Sequence, residues 1–298
     1  MTLKQLILSP FAAVVFFGVA EAQSENGAIF TPEGTIIHHW HDGENGGIAE
    51  IDIDGQLIRI LTESGAHMDR WPALGNNGQD VTFISTRDGR WSVFSVGRRG
   101  GEVSQITRNY VQNLGAAPTP DGVDIYFAQT ADDDENRFDI LRYRGPDATL
   151  ERVIENGIWP KWSPAGGGFF FGRGNGPETG FDVMFYDIAT GHVSQVTNLP
   201  GDEFSPTISP DGIDLYFVHV TESGAGLSRQ LLESGEVTDL ELEMRMDSSP
   251  AFSPDGRFMV YANLVDGQYD LFRQELASGE TVNISQSGWN NRPAVSFD

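Results

Sequence analysis

The 298 residues include no cysteine. That excludes disulfides, thiol nucleophiles and cysteine-ligated zinc, and also a lipoprotein anchor, which needs a cysteine directly after an export signal. Basic residues are scarce: 19 Lys and Arg stand against 43 Asp and Glu, a formal net charge of -24. A field of that sign repels nucleic acid and other polyanions, so DNA or RNA is not expected as a partner, and a solvated acidic surface is. No apolar run reaches the ~20 residues of a membrane-spanning helix. No Pro/Ser-rich linker divides the chain, and no G-x-S-x-G elbow offers a serine nucleophile.

The one sustained apolar run, Leu6 to Val19, follows Lys4 and Gln5 and ends at Ala20-Glu21-Ala22. This is the pattern of a secretory signal peptide over residues 1–22, cut before Gln23. The expected product, residues 23–298, is a single exported domain, periplasmic or secreted, with neither membrane span nor lipid anchor. It is long enough to fold on its core alone, well beyond the ~70 to 80 residues below which domains usually need staples.

A short phrase recurs along that domain. SPDGIDLYF begins at Ser209, TPDGVDIYF at Thr119, SPDGRFMVY at Ser253, SPAGGGFFF at Ser163 and TPEGTIIHH at Thr31. Prolines mark the approach to each turn at Pro72, Pro118, Pro160, Pro206, Pro250 and Pro293, at intervals of 42 to 46 residues. A period in the forties built from short strands predicts propeller blades, four-stranded sheets that bury their faces only against one another. In the fourth repeat the strands are predicted at 159–163, 168–173, 182–187 and 192–197, with Pro and Asp-Gly supplying the turn between the first two. Third strands open on Phe138-Asp139, Phe181-Asp182 and Tyr269-Asp270. Outer strands end in Leu61-Thr62, Ile106-Thr107, Val196-Thr197 and Ile284-Ser285. The fold class is therefore all-β, a six-bladed propeller of four-stranded antiparallel blades. Arg292 to Phe297 is a further copy of the inner strand and is expected to complete blade one and close the ring; Ala28 to Thr31 is the other candidate.

The phrase Pro-x-x-Ser-Pro-Asp-Gly, followed by a β run, Asp-aliphatic-aromatic and Leu-Thr, resembles the WD-like repeat of the TolB family, over essentially the whole mature chain. The resemblance implies the propeller and a protein partner docked on it. The separate N-terminal domain that TolB itself carries is not expected, because the first blade begins directly after the leader.

In a propeller the loops joining strands two and three share a face with those joining one blade to the next, and ligands usually meet that face. The column at the end of the second strands reads His41, Ser85, Gln129, Arg173, His219 and Asn263. The column three residues before the marker prolines reads Asp69, Gly115, Gly157, Glu203, Asp247 and Asn290. Beside it stand Arg70, Trp71, Trp159, Phe204, Trp289 and Arg292. These residues suit a protein, a small molecule or an oligosaccharide at the channel mouth of a monomer, and equally suit strand caps and blade-to-blade hydrogen bonds. His38-His39-Trp40-His41 is the densest local signal. His39 and His41 share one face of a strand, and with Gln129 and His219 they form a candidate site for a divalent metal ion. Oligogalacturonate lyases are similar in general plan, with a metal held by histidines and a glutamine. That resemblance implies the second reading, a metal-assisted lyase or hydrolase with His41 and His219 at the reaction centre and Arg173 on a substrate carboxylate. The other reading is a non-catalytic binding module, with His38 and His39 as packing residues. Glu50-x-Asp52-x-Asp54-Gly55 starts like a calcium loop but has Leu61 at its twelfth position, so strand and turn are expected there.

Overall fold

The structure, a computed structural model, describes residues 28–285 apart from 42–45, 64, 66, 76–77, 109–110, 135, 146–147, 175–179, 245–247 and 266–267, and at His41, Leu264, Val265, Gln268 and Tyr269 the backbone alone. Among the described residues twenty-four strands form six antiparallel four-stranded sheets arranged as a ring of blades. Each blade takes four consecutive strands, from the axis outward. Blade one is β1(Ala28–Phe30), β2(Ile36–His41), β3(Gly46–Ile51) and β4(Leu57–Ile60). Blade two runs from β5(Asp69–Gly75) and β6(Asp80–Ser85), and blade three from β9(Asn113–Pro118) and β10(Asp124–Thr130). Blade four holds β13(Ile158–Trp162), β14(Gly168–Gly174) and β15(Phe181–Asp187); blade five holds β17(Asp202–Ile208) and β18(Asp214–Thr221). Blade six spans β21(Ala251–Phe252), β22(Phe258–Val265), β23(Gln268–Glu275) and β24(Thr281–Asn283).

The recurrent phrase makes the first hairpin of five of the six blades, all but blade two. At Ser209 the backbone N–H bonds the Asp214 carbonyl at 2.9 Å, while the Asp211 carboxylate takes the Ser209 hydroxyl at 2.6 Å and the Ile213 N–H at 3.1 Å. Gly212 closes the turn at φ 76°, a backbone angle that costs glycine little. Thr119 with Asp121, and Ser253 with Asp255, repeat the same side-chain bond. Blade one differs: there Thr31 N–H reaches the Thr35 carbonyl, so its turn is one residue shorter than the Ser209 to Asp214 turn.

A blade hides its faces by packing on its neighbours, and each of the six seams has its own apolar cluster. Phe83, Phe127, Phe171 and Phe217 occupy matching positions on the second strands of blades two to five, and all four are fully buried. Burying one such ring is worth about 1.5–3 kcal/mol. His38 takes that position in blade one and is 2 % exposed. It donates its Nδ1–H to the His39 carbonyl at 2.6 Å, and burial pushes its pKa down to about 3, so it packs as a neutral ring.

The inner place of blade one belongs to β1, paired to β2 with Ile29 opposite Ile37. This corrects the expectation for Arg292 to Phe297, which lie outside the described residues. The physical reason is locality: a hairpin through Thr31 to Thr35 closes a short loop, at far lower entropic cost than bringing in a segment from the other end of the chain. The seam between blades six and one joins Ile36, Trp40 and Ile51 to Val260, Leu271 and Ile284. Arg273 crosses it, donating to the Ile53 carbonyl at 3.1 Å and to Asp54 at 2.7 Å. The calcium-like segment is thereby accounted for. Asp52 Oδ1 accepts the backbone N–H groups of Asp54 and Gln56, forming a turn, and Asp54 serves the seam.

Arg273→Ala should lower stability to urea by about 1–3 kcal/mol, since it removes charge-assisted hydrogen bonds across the seam. Arg257→Ala, whose side chain is 62 % exposed, should change it by less than about 0.5 kcal/mol. Equal effects from the two would mean that Arg273 does not help hold the ring together.

Candidate functional site

The rim is governed by how each outer strand is tied to the next blade. Thr62 Oγ1 accepts the Ile48 backbone N–H at 2.9 Å and donates to Asp69 Oδ2 at 2.7 Å. Thr197 Oγ1 accepts the Val183 N–H at 2.8 Å and donates to Glu203 Oε2 at 2.9 Å. Thr107 accepts the Val93 N–H at 2.9 Å. The recurrent Leu-Thr ending therefore carries a clasp between one blade's third strand and the next blade's inner strand. Asp69 and Glu203 are 0 % exposed and serve as parts of it.

The register corrects two of the columns. In the inner strands a bulge residue with positive φ lies at Trp71, Gly115, Trp159 and Ser205. Two residues before each stand Asp69, Asn113, Gly157 and Glu203, so Asn113 holds the clasp position of blade three, not Gly115. Asn113 is fully buried and donates Nδ2–H to the Trp91 and Val111 carbonyls. Pro118 misleads because it lies two residues beyond the true equivalent, Ala116. Gly115 serves close approach instead, since a Cβ there would lie 2.9 Å from Trp159 Cδ1.

In the other column the short turn of blade one shifts the frame by one. Trp40, not His41, matches Ser85, Gln129, Arg173, His219 and Asn263. The backbone position that matches His219 is therefore that of Trp40, one residue before His41. The His41 side chain lies outside the described residues, as do Asp247, Trp289, Asn290 and Arg292. His39, Gln129 and His219 belong to blades one, three and five. Among the described residues no group of three or more His, Asp or Glu side chains is placed to hold a metal ion.

The remaining candidates have partners of their own. Arg87 binds both Asp69 oxygens, at 2.9 and 2.7 Å, and lies over the Phe83 and Phe94 rings. Arg173 donates to the Asn156 carbonyl at 3.2 Å and the Glu155 carbonyl at 3.3 Å, with its guanidinium over Phe171. His219 Nε2 donates to the Pro200 carbonyl at 3.0 Å. Arg70 lies 5.2 Å over the Trp91 ring, which stacks at a tilt on Trp71. Trp159 meets Phe204 edge to face at 5.4 Å. Gln129 is 8 % exposed. At the tip of blade three Asp132, Asp133 and Asp134 follow one another, and Arg137 pairs with Asp133 at 2.6 Å and with Asp139 at 3.0 Å.

Glu203 is the exception in its electrostatics. Arg87 neutralises Asp69, whereas among the described residues Glu203 pairs with no arginine: beside its Thr197 bond stand His219, at 3.9 Å, and the carboxyl of Asp182. Burial, reinforced by Asp182, pushes the Glu203 pKa up to about 8. At neutral pH the clasp of blade five therefore holds a protonated acid.

Six radial four-stranded blades tied edge to edge by threonine clasps define a β-propeller of the WD-like class. The chain belongs to the TolB beta propeller domain family, whose profile it matches over residues 147–298. It is 28 % identical over 171 residues to the "Protein TolB homolog" of Chlorobium luteolum, an alignment covering 54 % of this chain and 34 % of that protein. The crystal structure of TolB from Acinetobacter baumannii superposes with a TM-score of 0.68 at 20 % identity, over 86 % of this chain and 62 % of the other. An oligogalacturonate lyase in complex with manganese shares the fold at TM-score 0.59 and 12 % identity, over 83 % of this chain and 75 % of the other. The chain thus spans about a third of the curated relative's length. No helix among the described residues is long and apolar enough to cross a membrane.

The raised pKa makes a signed prediction. Unfolded, Glu203 ionises near pH 4.5; folded, it keeps its proton to about 8, so the fold loses stability as pH rises between those values and no further above them. The melting temperature should fall between pH 5 and 8 by several degrees more in the wild type than in Glu203→Gln, which has no proton to lose. Parallel curves for the two proteins would show that Glu203 is not a protonated acid in the fold.

Proposed function

We propose that the protein is an exported, non-catalytic binding module that offers the rim carrying Arg70, Trp71, Trp91 and Trp159 to a protein of the cell envelope. The observation that carries this reading is how fully the candidate rim side chains are engaged inside the protein. Asp69, Arg87, Arg173, His219 and Glu203 each clasp strands or cap backbone carbonyls, and such groups are rigid supports more than reacting groups. Half-buried tryptophans and an arginine over an indole are what a protein interface uses at its anchors. Membership of the TolB propeller family supports the same reading. Export rests on the leader-like residues 1–22.

The test places a photo-crosslinking amino acid at Trp91 on the rim and, in a second protein, at Ile213 on the opposite, hairpin face, where the side chain is 51 % exposed. After irradiation with envelope extract, one discrete protein adduct is expected from Trp91 and none from Ile213. In parallel, metal content is measured by mass spectrometry, and oligogalacturonate is incubated with the protein and manganese. One tightly bound transition metal per chain, with release of unsaturated uronides, would overturn the non-catalytic reading in favour of the lyase.

A further inference from the structure

Blade four departs from its siblings at three coupled positions. Its first hairpin reads Ser163-Pro164-Ala165-Gly166, with alanine where Asp121, Asp211 and Asp255 take the hydroxyls of Thr119, Ser209 and Ser253. Five residues after the serine, Gly168 stands where blades three and five carry Asp124 and Asp214. On the third strand, Phe185 pairs with Phe170 where those blades set Arg142 opposite Tyr126 and Arg229 opposite Tyr216. Arg142 and Arg229 each hold the aspartate of their own blade, and blade four has neither half of that ion pair. The Phe185 ring lies over Gly168 instead, since a Cβ there would be 2.7 Å from its Cζ, and it stacks at a tilt on Phe170 with centroids 4.9 Å apart.

Where the charges are missing there is space. An open cavity of about 580 Å³ lies at the seam with blade five, bounded by Ser163, Phe170 and Phe185 on one side and by Gln230, Leu232 and Glu233 on the other. That volume is in the range of small-molecule sites. Its polar groups include acceptors that no donor meets. Gln230 is 6 % exposed, and its Nε2 donates to the Val196 carbonyl at 3.0 Å, which fixes the orientation of the amide and leaves Oε1 without a partner among the described residues. That oxygen is not sealed in, so it is reached from the cavity that its side chain lines. A buried amide oxygen in this state is rare, because it costs free energy until a donor arrives. The Ser163 hydroxyl, which Ala165 cannot engage, is also without a partner among the described residues. Glu233 adds a carboxylate that neighbouring blades lack: in the same turn of blades four and six, closed by Gly191 and Gly279 as this one is by Gly235, the residue is Ala189 and Ala277. Glu233 is exposed and pairs with no cation among the described residues.

We propose that this cavity binds a compact organic ammonium ion, a primary amine on an aryl body, with the ammonium donating to the Glu233 carboxylate and Gln230 Oε1 and the ring resting on Phe185, Phe170 and Leu232. An ammonium offers donors only, which is what acceptors without partners require. Phenyl faces attract a cation, and the net charge of -24 draws cations toward the protein. A neutral sugar ring would use the phenyl faces but leave the carboxylate charge unmatched. The cavity is on the face of the first hairpins, away from the rim, so this site and the docking role above do not rest on one another.

The test is calorimetric titration with phenethylammonium chloride at constant ionic strength, set against 2-phenylethanol, which keeps the ring without the charge, and ammonium chloride, which keeps the charge without the ring. Phenethylammonium should saturate one site per chain, and neither of the other two should. Glu233→Ala gives the turn the alanine of blades four and six and should weaken binding roughly tenfold, about the worth of a charge-assisted hydrogen bond. Glu236→Ala removes the same charge from an exposed position three residues along and outside the cavity, and should leave binding unchanged. Both substitutions are on the surface, so both variants should melt with the wild type. No saturation by phenethylammonium would overturn the proposal, as would equal binding of 2-phenylethanol, undiminished binding in Glu233→Ala, or the same loss in both variants. Rim crosslinking at Trp91 that persists beside such a result would leave the docking role standing and remove the amine site alone.

Discussion

A four-stranded blade cannot cover its own faces, and everything else in this protein follows from that constraint. The apolar residues of each second and third strand meet a surface only when the next blade arrives. Six seams must therefore form together for any of them to be dry. No disulfide assists, and the charge imbalance works against compaction. The threonine clasps act on the same seams at their polar ends, where strand termini would otherwise leave amides unmet.

That division of labour explains what the rim can and cannot be. A carboxylate in the clasp position is held by a threonine and, in blade two, by an arginine as well, so it ties strands together. The polar columns that look like a convergent site in one dimension are largely the ends of the structural ties.

The period and the turn chemistry were legible because both are local. Ser-Pro-Asp-Gly closes its hairpin with bonds inside six residues, and it does so wherever the phrase stands. The columns were less legible because they depend on how many residues lie between two such phrases. Pro118 displaced the reading of blade three by two positions and hid Asn113, whose burial and carbonyl partners arise only from the inner-strand bulge at Gly115. The placement of β1 was open for a different reason: two segments with the same pattern competed, and nothing in the residues measures the cost of the loop each must close. The pairing of Glu203 with Asp182 lies across a seam and has no trace in a single repeat.

The hairpin of blade one, shorter by one residue, has a meaning of its own. A repeated fold behaves like a text read in a fixed frame, and this deletion shifts the frame within one hairpin while the seams on either side stay in register. His38 thereby takes the inward place that a phenylalanine holds in four other blades, and His39 takes the next position on the strand, where those blades carry Ile84, Ala128, Gly172 and Val218. The blade can diverge in what it displays while remaining interchangeable in what it buries, and a length change of a single residue is enough to separate the two.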